Sequence, residues 1–191
     1  MARLVFEFVN PERFLIGTVG VPGEREFYLQ VKGESNGKRI MASFALEKAQ
    51  AAALAERCRE IVKEVARGSS TQISSESADL AALETPIEAE FALGVMSLSW
   101  IEIESRFLFE AQAISNSQRD EVFEELISED AADAPAILRV RIDAGNLLSF
   151  ARRTELVVAA GRQPCVFCGG PINPGGHLCP RSNGYRRQIP Q

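Results

Sequence analysis

The chain has 191 residues, 46% hydrophobic and 25% charged, a globular balance that excludes wholesale disorder and suffices to bury a core. No apolar run approaches the roughly 20 residues needed to cross a bilayer, so no membrane partner is expected. Net charge is −5 but unevenly spread: residues 139–191 hold eight arginines against Asp143 and Glu155, a local +6 that leaves −11 for residues 1–138. That asymmetry reads either as a solvated surface with helix-end charges or as a basic patch for phosphate or nucleic acid.

The N-terminus alternates like a strand and carries Glu7 where a signal peptide would stay apolar, so a cytoplasmic location is expected. Strands at Leu4–Val9, Arg13–Val19, Phe27–Val31 and Arg39–Phe44 are separated by the turn signals Asn10-Pro11, Val21–Glu24 and Ser35–Lys38. Together they predict a β-meander. An amphipathic helix follows over 46–67, with Leu54, Cys58, Ile61 and Val65 on one stripe and Gly68 as its stop. Residues 68–85 are Ser-rich and read as a mobile linker in which Ala78–Leu83 could form a short helical turn.

The second half predicts strands at 88–95, 97–104 and 106–114, then an acidic excursion over 115–135 with a short helix at Glu121–Ile127. Strand Ile137–Ile142 and a helix capped by Asp143 and running to Ala159 complete it, with Leu147, Phe150, Ala151, Thr154, Val157 and Val158 inward. Both halves read ββββα. A shift of 96 residues lays Leu46-Glu47 on Ile142-Asp143, Leu54-Ala55 on Phe150-Ala151 and Ile61-Val62 on Val157-Val158. Any two amphipathic helices share a period, so the strand order is what favours a repeat. The expected fold is α+β: a body over 1–160 with halves 1–67 and 86–160, then a tail over 161–191. A ββββα duplication is similar to the architecture of Whirly-type single-stranded nucleic-acid-binding proteins, a likeness of fold and not of function.

The tail carries the most specific pattern. Cys165, Cys168, His177 and Cys179 are spaced C-x₂-C-x₈-H-x-C and take the only histidine and three of the four cysteines. A C-x₂-C turn brings two thiolates to one ion, and Gly169-Gly170 supplies the backbone freedom such turns need. His177 and Cys179, two apart on an extended segment, point to the same side. A Cys165–Cys168 disulfide is the competing reading, but it leaves one cysteine unpaired and the histidine unexplained. The expectation is a structural Zn²⁺ with a full set of four donors.

Other candidates read more simply as structure. Cys58 lies on the apolar stripe of a helix and is expected to be an inert buried thiol. With His177 committed to metal, no histidine remains to activate a serine or cysteine nucleophile. Glu102 and Glu104 read as the wet face of a strand, Trp100 as hairpin packing, and Gly17–Gly23 as a turn that fits no phosphate-loop pattern. Arg181, Tyr185, Arg186 and Arg187 could contact phosphates and stack a base, or pair with the acidic body.

Pro11-Glu12-Arg13-Phe14, Gly17–Gly20 with Pro22-Gly23, Phe27–Gln30, Leu46–Lys48, Leu54–Arg57 and Cys179-Pro180-Arg181-x-Asn183-Gly184-Tyr185-Arg186-Arg187 together resemble the bacterial domain-of-unknown-function family 3090. The resemblance spans essentially the whole chain and implies the same four zinc ligands, with no established activity. The leading functional expectation is a non-catalytic interaction or regulatory protein with an unidentified protein partner. The alternatives are a nucleic-acid-binding protein using the Arg/Tyr tail and a sheet face, and an enzyme using carboxylates between the halves.

Overall fold

A computed structural model describes residues 3–68, 78–114, 126–127, 130–131, 134–162, 164–172 and 175–181. Four strands, β1 (Val5–Val9), β2 (Arg13–Val19), β3 (Glu26–Ser35) and β4 (Lys38–Leu46), lead into helix α1 (Lys48–Arg67). Three more, β5 (Ala89–Ile101), β6 (Arg106–Ala113) and β7 (Ile137–Ile142), lead into helix α2 (Ala144–Ala159). All seven strands form one mixed sheet in the order β1-β7-β6-β5-β4-β3-β2, so the α+β expectation holds.

Local chemistry sets most boundaries. Asn36 (φ 51°) and Gly37 (φ 73°) supply the two positive φ angles of the tight turn joining β3 to β4. At the start of α1, the Gln50 side-chain oxygen accepts from the Glu47 N–H at 2.8 Å, and its amide nitrogen donates to Leu93 O on β5 at 2.9 Å. Asp143 caps α2 by accepting from Asn146 N at 2.9 Å, as expected. Gly68 does end α1, though in a right-handed conformation (φ −86°) rather than a left-handed cap.

The first departure from expectation is β1. It is not part of the meander; it pairs in parallel with β7, Phe6 opposite Leu138 and Phe8 opposite Val140. Asn10 (φ 46°) turns the chain sharply, and its N–H donates to Arg141 O at 2.8 Å, fixing the corner onto β7. The corner also rests on β3 at Gly33, where a methyl group would lie 3.2 Å from Pro11 Cα.

The second departure is the strand count. Residues 89–101 form one strand, not two, so the second half is βββα and the halves do not repeat strand for strand. At the expected break the single strand bulges instead, between Leu93 and Met96, and Gly94 lies so close to Ile114 and Gln112 that a side chain would crowd them. The Glu102–Glu104 stretch is a 3₁₀ turn rather than strand, closed by Ser105 (φ 50°). The expected helix at Glu121–Ile127 lies almost wholly outside the described residues.

The sheet curls around its core. Phe6 on β1 packs edge-on against Phe44 on β4 (5.4 Å), and Phe14 on β2 reaches Phe109 on β6 (5.9 Å) while stacking on Phe150 of α2 (4.3 Å). The α1 stripe is inward as expected, with Leu54, Cys58 and Ile61 buried and Val65 half-buried against the core; Val62 is buried as well. Both free sheet edges are blunted by side chains. Ile16 O on β2 accepts from Arg153 Nε at 2.9 Å, while on β1 Glu7 N donates to Ser35 Oγ and Val5 O accepts from Asn36, both at 3.2 Å.

The third departure is the stretch 78–85. Expected as linker or helical turn, it runs as a strap fastened across β2 and β3. The amide of the fully buried Gln30 pairs with the backbone of Glu84 in both directions at 2.9 Å. Arg13 bonds Asp79 at 2.6 Å and the carbonyls of Ala81 and Ala82. Arg153, buried in α2, donates to the carbonyls of Asp79 and Ala81. Burial pulls its guanidinium below the usual range, with Arg13 adding to that and Asp79 opposing it. Leu83 fills the notch at Gly17, where a methyl group would meet Leu83 Cγ at 2.5 Å.

Two outcomes follow from the strap. Gly17→Ala should lower stability by about 1–3 kcal/mol in urea melts, and adding Leu83→Ala should recover part of the loss. The hydrogen bond from Arg13, reinforced by its charge, holds the Asp79 carboxyl below its ordinary pKa, with burial opposing. A depressed folded pKa contributes stability that is full above the unfolded value of about 4 and fades as pH falls through the lowered one. Hydrogen-exchange protection of residues 78–85 should therefore fall below about pH 4, and Asp79→Asn should remove part of that dependence, the rest belonging to Glu84, whose carboxyl Lys32 also holds below its ordinary pKa.

Candidate metal centre

The tail begins one residue after the cap of α2. Pro164 and Pro171 form an isolated bridge that closes a short loop, inside which Cys165 N donates to Gly170 O at 2.7 Å and Gly169 N to Cys165 O at 2.8 Å. Gly169 (φ 74°) makes the turn after Cys168, and Gly176 (φ 88°) precedes His177. Both need a left-handed backbone that glycine adopts without strain.

This loop and the returning segment bring four donors together. Cys165 Sγ lies 3.7 Å from Cys179 Sγ, and Cys168 Sγ lies 3.3 Å from His177 Nε2. All four donor atoms fall within 4.8 Å of one another. Two thiolates on one tetrahedral ion with bonds of about 2.3 Å sit about 3.8 Å apart, so the 3.7 Å separation fits a shared metal. None of the cysteines is in a disulfide. Cys165 and Cys179 are buried, whereas Cys168 and His177 are half-buried. Backbone N–H groups of Cys168 and Phe167 lower the Cys165 thiol to about 7, the ionised form a metal requires. The cluster can hold a metal ion.

The remaining expected site residues separate. Arg181 donates to Phe167 O at 3.1 Å, folding the chain after Cys179 back over the first loop. Tyr185, Arg186 and Arg187 lie outside the described residues. Several arginines of the basic C-terminal third are absorbed by the body. Arg139 pairs with Glu110 and Asp130, Arg141 with Glu7, and Arg153 is buried under the strap. The carboxylates beside the cleft between β2 and α2 are likewise engaged, Asp79 by Arg13 and Glu12 by Arg39. Trp100 packs on Phe107 (4.7 Å), as hairpin packing predicts. Cys58 is fully buried, and burial pushes its thiol up to about 12.

A curled α+β sheet carrying a C-terminal Cys₃His cluster that can hold a metal is the class these features define. The chain belongs to the family described as "Protein of unknown function (DUF3090)", whose model matches residues 6–179. No curated protein and no solved structure matches it significantly. The match ends on Cys179, so all four donors lie within it. Among the described residues, no helix is long and apolar enough to cross a membrane.

The two cysteine environments differ enough to be separated chemically. After treatment with a chelator at about pH 8, iodoacetamide should label the three knuckle thiols of the native protein. Cys58 should react only in denaturant, and mass spectrometry of the peptides distinguishes the sites.

Proposed function

We propose that Cys165, Cys168, His177 and Cys179 bind one zinc ion as a fixed structural centre, and that the knuckle so held docks a protein partner in the cytoplasm. The observation that carries this reading is a complete donor set framed by apolar side chains turned outward. Val166 is 90% exposed, Leu178 88% and Phe167 61%. Three thiolates and an imidazole suit zinc, and four protein donors leave no position for a reacting water. A reducing compartment keeps those thiols available.

The segment is too small to build a core, so the metal supplies its folding energy, with an apparent value on the order of 10 kcal/mol. Apolar side chains clustered on such a rigid loop are an interaction surface rather than a packing residue set. A non-catalytic role is consistent with the lone histidine being a ligand and with the arginine-bound carboxylates at the cleft.

Elemental analysis should give one zinc per chain. Chelation should collapse hydrogen-exchange protection over residues 162–181 while leaving α1 and the sheet protected; a tail that stays protected without metal overturns the structural role. Phe167→Ser combined with Leu178→Ser should retain zinc yet lose any partner that the unaltered protein captures. Binding of single-stranded oligonucleotide that weakens steeply with salt would instead favour the nucleic-acid reading through Arg181 and the Tyr185–Arg187 segment.

A further inference from the structure

A second site lies on the body, where β4 runs into α1 beside the parallel strand β5. Phe27, Leu46 and Leu93 contribute apolar lining to a cavity of about 330 Å³, and Arg25, Tyr28 and Lys48 contribute polar groups. That volume is at the lower end of what small-molecule sites enclose. The setting is also favourable: a β4-α1-β5 crossover places the cavity outside the carboxyl end of β4, at the positive end of a 20-residue helix.

The charges of the lining are unequally satisfied. Glu26 accepts the Tyr28 hydroxyl at 2.9 Å, and Glu47 belongs to the capping box of α1. Arg25 lies over the Phe27 ring (5.4 Å) and donates through Nη1 to Val157 O at 3.2 Å. Neither Arg25 nor Lys48 makes an ion pair among the described residues. Yet both converge on one point. A methyl group on Gly161 would lie 3.6 Å from Arg25 Nη2 and 3.6 Å from Lys48 Nζ, with no other atom closer. Two cations held within about 7 Å of each other repel, and an anion placed between them relieves that repulsion. The carbonyl end of α2 accounts for Arg25 Nη1 but for neither of the other two nitrogens.

We infer that this cavity binds a small phosphomonoester, its phosphate held over Gly161 between Arg25 and Lys48 and its apolar or planar body against the edges of Phe27 and Leu46 that reach the cavity. Glu26 and Glu47 share the lining but form no ion pair with Arg25 or Lys48, so a dianion placed between the two cations gains both contacts, and the apolar lining suits more than a bare ion. Gly161 leaves the space that the phosphate occupies.

The test is calorimetric titration of the zinc-loaded, full-length protein with phenyl phosphate, inorganic phosphate and benzoate. Phenyl phosphate should bind saturably, and at least about tenfold more tightly than either of the other two. Lys48→Gln, at an exposed position, should weaken it by at least about tenfold. Gly161→Asp, which sets a carboxylate between the two cations, should abolish binding while keeping the circular dichroism and zinc content. No saturable binding by the unaltered protein overturns the proposal. So does equal affinity for inorganic phosphate or benzoate, or indifference to both substitutions in folded protein.

Discussion

The architecture depends on a connection of only three residues. Asn10, Pro11 and Glu12 join β1 to β2, and these strands occupy opposite ends of the sheet order. In a flat sheet of seven strands the two edges would stand about 29 Å apart, whereas three linking residues reach about 14 Å at most. The sheet therefore has to roll until its edges meet. Phe6 against Phe44 and Phe14 against Phe109 are the contacts produced by that closure. The same rolling brings Ser35 and Asn36 to the free side of β1. With Arg153 bonded to Ile16 on the free side of β2, side chains occupy part of each edge.

The strap completes the closure from outside. Gln30, Arg13 and Arg153 all bond its backbone, so its position depends on carbonyl and N–H groups more than on the identity of its side chains. Only Leu83, seated at Gly17, and Asp79 and Glu84, paired with Arg13 and Lys32, are read individually. Arg153 acts at two places at once, on Ile16 of the edge strand and on the strap above it. A buried guanidinium bonded to carbonyls rather than to a carboxylate is costly unless every partner is in place, which ties α2, β2 and the strap into one unit.

Much of this was legible in the residues. The Asn36-Gly37 turn, the cap at Asp143, the α1 stripe and the four converging donors are local patterns, each decided by neighbours within a few positions. What was not legible is non-local. The alternation of Val5–Val9 is the same whether the strand pairs with β2 or with β7, and only the tertiary corner at Gly33 and Arg141 decides. The break expected between residues 95 and 97 is a bulge in one continuous strand, which only its pairing with β6 reveals. The Ser-rich composition before residue 78 hid a strap held by side chains more than 50 positions away in either direction. No local pattern joins Lys48 to Arg25, because their convergence on Gly161 exists only once α2 has docked.

The parallel pairing of β1 with β7 has a consequence for how the chain is made. Val5 finds its partner at Ile137, so during synthesis β1 must wait for the much later β7. β2, β3 and β4 can pair as soon as they emerge, since each bonds its neighbour in the chain. β1 cannot, and until β7 arrives Phe6 and Phe8 have no lasting place in the interior. Vectorial synthesis thus leaves an apolar N-terminal strand unclaimed for most of translation. Its interval of exposure is set by the length of chain between residues 9 and 137, including the Ser-rich stretch between the halves and the acidic one between β6 and β7.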